Sequence, residues 1–153
     1  MSNHYDVIVV GSGPAGYVCA IRCAQLGLNT AVIEQNVDAK QQPLLGGTCL
    51  NVGCIPSKAL LDSSHRYAEA RSHLDDHGIG IGDLSLNIAN MMKRKEKIVA
   101  QLTGGVSGLL KHNGVTVVTG SAKLLAGRQV EVSQGAESPT LLTADHVVLA
   151  AGS

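Results

Sequence analysis

The sequence predicts an α/β domain built on a parallel sheet, and three observations carry that expectation. Tyr5-Asp6-Val7-Ile8-Val9-Val10 is almost wholly apolar and ends in glycine, as a strand buried on both faces does. Pro14 to Leu26 then reads as a helix, with Pro14 in its first turn and Gly27 at its stop. Asn29 to Glu34 is a second apolar strand, so strand, helix and strand fit into about 30 residues, the size of one βαβ unit.

The remaining elements follow in order. Gln35 to Leu45 is polar, contains Pro43 and reads as a loop. A helix from about Leu50 to Ser72 must be distorted in its first turns by Gly53 and Pro56. Asp75 to Asp83 is glycine-rich and loop-like. Ser85 to His112 carries Ile88, Met91, Met92, Ile98, Val99, Leu102, Val106, Leu109 and Leu110 at helical spacing, with Gly104-Gly105 as a weak point. Lys111 and His112 complement the dipole at its end, and Gly114 stops it. The last part is β-like: Val115 to Thr119, Ala122 to Leu125, Gln129 to Ser133, Leu141 to Thr143 and His146 to Ala151. Gly127-Arg128 suits a hairpin turn, so a small additional β-sheet is expected beside the parallel one.

Composition narrows the function. Lys and Arg number 12, Asp and Glu 12, and the formal net charge is zero. Such a chain lacks the basic field that nucleic acid or an anionic membrane surface needs. With 3 tyrosines and no Trp or Phe, base stacking has little to work with. No run approaches the ~18 apolar residues of a membrane span. No basic and apolar leader opens the chain, and 4 cysteines are too few for a disulfide scaffold. A cytoplasmic protein is expected, in which any disulfide would be catalytic or redox-sensing.

Gly11-Ser12-Gly13-Pro14-Ala15-Gly16 matches G-x-G-x-x-G. Alone the pattern is weak, but here it follows a strand, opens a helix and leads to an acidic residue, Glu34, at the end of the next strand. Gly11 would allow the tight turn, Gly13 would let backbone approach a pyrophosphate, and Gly16 would let helix and strand pack closely. The pyrophosphate would sit on the helix N-terminus, and Glu34 would accept from a ribose hydroxyl. The motif does not by itself separate FAD from NAD.

The sharpest feature is Gly46-Gly47-Thr48-Cys49-Leu50-Asn51-Val52-Gly53-Cys54-Ile55-Pro56-Ser57-Lys58. C-x4-C is neither a zinc knuckle nor a thioredoxin spacing. In a regular helix, residues five apart have Cα atoms about 8–9 Å from one another, and a disulfide wants less than about 7 Å. A Cys49–Cys54 bridge would therefore need a deformed backbone, for which Gly53 and Pro56 supply the means. Such a bond should be reducible, and a helix N-terminus with Lys58 nearby would favour a thiolate. The plainer alternative is two unpaired, buried cysteines.

Taken together, the glycine fingerprint, this cysteine block and the closing Ala151-Gly152-Ser153 resemble the flavin-dependent pyridine nucleotide–disulfide oxidoreductases over Tyr5 to Ser153. Ile55-Pro56-Ser57-Lys58 followed by Ala59-Leu60-Leu61-Asp62-Ser63-Ser64-His65 is similar to the dihydrolipoamide dehydrogenase branch. Glutathione and mercuric reductases share the cysteine block and stand as alternatives. The resemblance implies a Rossmann-type FAD-binding domain and a redox-active Cys49–Cys54 disulfide. Cys49 would exchange with a substrate dithiol, Cys54 would lie against the flavin, and Lys58 would stand near the reactive edge of the isoalloxazine. Gly11, Gly13, Pro14, Ala15, Gly16 and Glu34 would hold the adenosine and pyrophosphate, with Gly47 and Thr48 close by. Ala122 would meet the adenine, and Ser153 would sit near the flavin.

The family also implies protein-bound dihydrolipoamide as substrate, NAD⁺ as acceptor, lipoyl domains of 2-oxoacid dehydrogenase complexes as partners, and a homodimer. Residues 1–153 would be the N-terminal segment of the FAD-binding domain. The family's second glycine fingerprint, its later Gly-Asp segment and its C-terminal interface domain, with a His–Glu pair acting as general base, are not among these residues. The chain would then bind FAD without full turnover; a catalytically inactive or incompletely folded fragment is the alternative.

Weaker signals have plain explanations. Cys19 and Cys23 share a face of the first helix and read as small core residues. His73 and His77 have i, i+4 spacing beside Asp75 and Asp76, at a polar helix end better suited to solvent than to a metal. Lys93-Arg94-Lys95 with Lys97 reads as a solvated helix face.

Overall fold

Every residue of Thr30–Glu34 is buried, which explains why that stretch is apolar throughout rather than alternating. In the computed structural model, which describes residues 3–72, 74–135 and 138–152, this strand (β2) lies between β1 (His4–Val10) and β3 (Thr116–Thr119), parallel to both. The sheet has six strands in the order β3-β2-β1-β6-β5-β4, with β4 at Ser121–Leu125, β5 at Gln129–Ser133 and β6 at Thr140–Leu149. Helix α1 (Pro14–Gln25) makes the crossover from β1 to β2. Helices α2 (Gly47–Asn51), α3 (Cys54–Ser72) and α4 (Ile88–His112) lie between β2 and β3.

The sheet alternates as a two-faced layer should. Val7, Val9 and Val32 point to the helical side, where they pack with Ala20 of α1, Leu50 of α2 and Val106 and Leu110 of α4. Ile8, Ala31 and Ile33 point to the other side and meet Val130, Val132, Leu142 and Ala144. The antiparallel strands β4 and β5 therefore cover the second face of the parallel core. The additional β-structure expected from the sequence is present as this wing, hydrogen-bonded to the main sheet through β6 rather than detached from it.

One strand replaces two at the C-terminal end. β6 pairs antiparallel with β5 over Thr140 to Thr143 and parallel with β1 over Thr143 to Leu149, so Thr143 belongs to both ladders. Polar Asp145 and His146 break the apolar pattern because they are exposed, not because the strand ends there. Helix α4 starts at Ile88, where the side chain of Asn87 accepts from the Asn90 N–H. The helix runs unbroken past Gly104-Gly105. Gly127 and Arg128 both have positive φ in the β4–β5 loop, as a hairpin turn there requires. No helix among the described residues is long and apolar enough to cross a membrane.

Candidate functional site

A cavity of about 380 Å³ opens at the carboxyl ends of β1, β2 and β6, the place where open parallel sheets take ligands. Its wall brings together residues far apart in sequence: Gly11, Gly13 and Pro14 from the fingerprint, Glu34, then Gly47, Thr48 and Cys49, and Ala122 on β4. Ser12, Gln35, Asn36, Gly120 and the chain from Ala150 to Gly152 complete it, none of which the motif reading singled out except as part of a stretch.

The three fingerprint glycines are required for different reasons. Gly11 has φ +99°, and a Cβ there would stand 2.3 Å from the Ala150 carbonyl oxygen. At Gly16 a Cβ would stand 1.8 Å from the Gly11 oxygen, so the helix can approach the turn only without a side chain. Gly13 differs: its φ is −65°, open to any residue, and a Cβ would meet nothing nearer than the Gly47 Cα at 4.0 Å. Neither strain nor protein packing explains that glycine. Its bare backbone lines the cavity at the N-cap of α1, whose first turn no side chain caps. That is a cradle for an anionic group, and it fits the pyrophosphate of a dinucleotide.

Glu34 is only 4% exposed, and its carboxylate is fully engaged by the protein. Oε2 accepts from the Ser12 N–H at 3.3 Å and from the Ser12 hydroxyl at 2.5 Å. Oε1 accepts from the Asn36 N–H at 2.8 Å and from the Asn36 amide at 3.0 Å. The two neighbours thereby orient the carboxylate, and an incoming hydroxyl would have to exchange with one of their donors. Sequence spacing pointed to Glu34 but carried no sign of these partners.

The helix break demanded by the cysteine spacing is present. α2 ends at Asn51 and α3 begins at Cys54, while the N–H groups of Val52 and Gly53 both reach the Thr48 carbonyl, at 3.0 and 2.7 Å. Gly46 turns the chain into α2 with φ +97°. The deformation brings Cys49 and Cys54 into hydrogen-bonding contact as two free thiols, the former half-buried and the latter exposed. Here the expected bias toward thiolate is corrected for Cys49. Its hydrogen bond with the Cys54 thiol, then burial, then the adjacent Cys54 charge push its pKa up. The Cys54 N–H and the Lys58 charge pull the other way and are outweighed.

Of the remaining residues singled out, Ala15 and Gly16 sit in the first turn of α1, just behind the cavity wall, with Gly16 buried. Cys54 and Lys58 do not line the cavity, and both are exposed. Ser153 lies outside the described residues, as does His73. Gly120 was not anticipated. Its φ is +145°, its N–H donates to the Glu34 carbonyl at 2.8 Å, and it forms the corner between β3 and β4. Arg94 is not merely part of a solvated face: it reaches α3, donating to the Ala59 carbonyl, the Ser63 hydroxyl and the Asp62 carboxylate.

Comparison with known proteins agrees with this arrangement. Residues 5–153 match the family described as pyridine nucleotide-disulphide oxidoreductase. A dihydrolipoyl dehydrogenase of Cupriavidus necator is 48% identical over 100% of this chain and 32% of its own length. A mitochondrial dihydrolipoyl dehydrogenase of Pisum sativum is 44% identical over 99% and 29%, and a leghemoglobin reductase of Vigna unguiculata 45% identical over 99% and 28%. The chain thus spans about a third of the length of the curated relatives it matches. With the fingerprint, the buried acid and the cysteine pair gathered at one sheet end, the chain belongs to the pyridine nucleotide–disulphide oxidoreductase family.

Proposed function

We propose that the cavity binds FAD and that Cys49 and Cys54 form the redox centre of a dihydrolipoamide-oxidising enzyme. The observation that carries this reading is the shared wall: the uncapped start of α1, Glu34 and Cys49 all line one cavity. In it, the first turn of α1 and Gly13 hold the pyrophosphate, Glu34 holds the ribose and the backbone at Ala122 meets the adenine. Bound FAD would supply a two-electron acceptor for the thiol pair and a hydride donor for NAD⁺.

The residues of this chain account for the thiol half. A substrate dithiol would open the Cys49–Cys54 disulfide; two substrate thiols become a disulfide, and two protein thiols result. Cys49, whose pKa its contact with Cys54 pushes up, would exchange with the substrate dithiol, and Cys54 and Lys58 would face the flavin. As partners we place lipoyl domains of 2-oxoacid dehydrogenase complexes, with a cytoplasmic setting suited to reduced thiols. A second reading, FAD binding without turnover, is favoured by the cavity lining, which includes Cys49 but not Cys54.

The test is to mix the chain with excess FAD, desalt it and titrate it anaerobically with dihydrolipoamide. Retained flavin with a new long-wavelength absorbance supports both the site and the thiol pair. Retained flavin with no response to the dithiol leaves only the binding reading. A colourless protein overturns both.

A further inference from the structure

Helix α1 carries a second pair of thiols that the proposed flavin chemistry does not use. Cys19 and Cys23 are one turn apart, which in a regular helix puts their Cα atoms about 6.2 Å from one another on one face. Both are free, both are half-buried, and both pack against the core cluster on the helical side of the sheet. The Cys23 side chain is near enough to perturb the Cys19 thiol. Two metal–thiolate bonds of about 2.3 Å at a tetrahedral angle hold their sulfurs about 3.8 Å apart, a separation that side chains one helical turn apart can reach. Chelation therefore asks for little rearrangement of either side chain.

The surroundings select the ligand. Among the described residues no third His, Cys, Asp or Glu joins the pair, so a closed four-ligand zinc shell is not available. Two sulfurs alone suit a soft thiophile that takes two. Burial, followed by the charge and hydrogen bond of Cys23, pushes the Cys19 thiol up, which disfavours a thiolate at that position.

We propose that Cys19 and Cys23 form a second dithiol site, separate from Cys49 and Cys54, that chelates soft thiophilic metalloids and metals. With an organic arsenoxide the step is a condensation. Two As–S bonds form, the As=O bond breaks, and both thiol protons leave with the oxygen as water, with no change of oxidation state.

The probe is phenylarsine oxide, added to the reduced full chain under native conditions, with adducts counted by mass spectrometry and located by peptide mapping. The wild-type chain should carry an adduct bridging Cys19 and Cys23. The Cys49→Ser/Cys54→Ser variant should keep it, and the Cys19→Ala/Cys23→Ala variant should lose it. The proposal is overturned if the bridging adduct forms only in denaturant. It is equally overturned if saturated wild-type chain links a cysteine of α1 to Cys49 or Cys54 instead. Mapping of the wild-type chain decides the matter even where the Cys49→Ser/Cys54→Ser variant fails to fold.

Discussion

Ser12 gives both its N–H and its hydroxyl to a single oxygen of Glu34, 22 residues further along the chain. The bond ties the turn of the glycine fingerprint to the end of β2, and both line the cavity. Ser12 is 0% exposed, so neither group has water to fall back on. The pair links fold to site: the contact that ties the fingerprint turn to the end of β2 also fixes the orientation of an acid in the cavity wall.

Removing the Ser12 hydroxyl should therefore cost stability first. Ser12→Ala leaves the carboxylate one donor short in a buried place, where an unsatisfied group costs about 1–3 kcal/mol. Guanidinium unfolding should show a lower midpoint at unchanged slope. Glu34→Gln should lose a similar amount, because its amide N–H₂ must face a donor on one side or the other. A midpoint unchanged in both variants would mean that water reaches the carboxylate.

Gly13 and Gly16 separate what the ligand needs from what the fold needs. Gly16→Ala forces a Cβ to within 1.8 Å of the Gly11 oxygen, and overpacking of that kind costs about 1–3 kcal/mol or more. Gly13→Ala meets nothing nearer than 4.0 Å and should unfold within about 0.5 kcal/mol of wild type. Flavin retention after desalting should nevertheless fall in Gly13→Ala, since the new methyl projects at the cradle. A Gly13→Ala chain that holds FAD as wild type does would place the pyrophosphate elsewhere.

These contrasts also show what could be read from residues alone. β1, β2 and the turn between them are legible because buried parallel strands are nearly continuous apolar runs, and because only glycine fits at Gly11 and Gly16. The break before Cys54 was legible from the reach of a disulfide. The pattern splits β6 into Leu141–Thr143 and His146–Ala151 around Ala144-Asp145, and it does not reveal that one strand passes from β5 to β1 at Thr143. Ser12 and Asn36 escaped notice because their role depends on folding Glu34 into contact with them. Arg94 was read as part of a solvated run for the same reason: its acceptors lie on another helix.

Arg94 should prove to be the one basic residue of its run that supports the α3–α4 pair. Its 2.7 Å bond to Asp62 is half-exposed and contributes little as a charge pair, about 0–1 kcal/mol. The additional bonds to the Ala59 carbonyl and Ser63 hydroxyl bring the expected loss in Arg94→Ala to about 1–2 kcal/mol. Lys93→Ala should stay within about 0.5 kcal/mol. Arg94→Lys should recover only part of the loss, because an ammonium cannot span three acceptors as the guanidinium fork does. Thermal melts of the three variants would show equal midpoints if Arg94 were only a solvated charge.

The thiol pair makes a prediction with two opposite signs. Cys49's pKa is raised by the Cys54 thiol before anything else and lowered by Lys58, so the two neighbours can be removed separately. Cys54→Ala deletes the contributions of the Cys54 side chain that raise the pKa while keeping the backbone N–H that lowers it. Iodoacetamide reaction at Cys49, followed by peptide mapping across pH, should then rise at lower pH than in the wild-type chain. Lys58→Met deletes the favourable charge, and the same curve should move to higher pH. Both shifts concern the thiolate fraction, since the thiolate is the nucleophile. The lysine effect should shrink in high salt, because Lys58 is exposed and its field is screened there. Curves that move together in the two variants would mean that a general loosening of the α2–α3 junction, rather than these two contacts, governs Cys49.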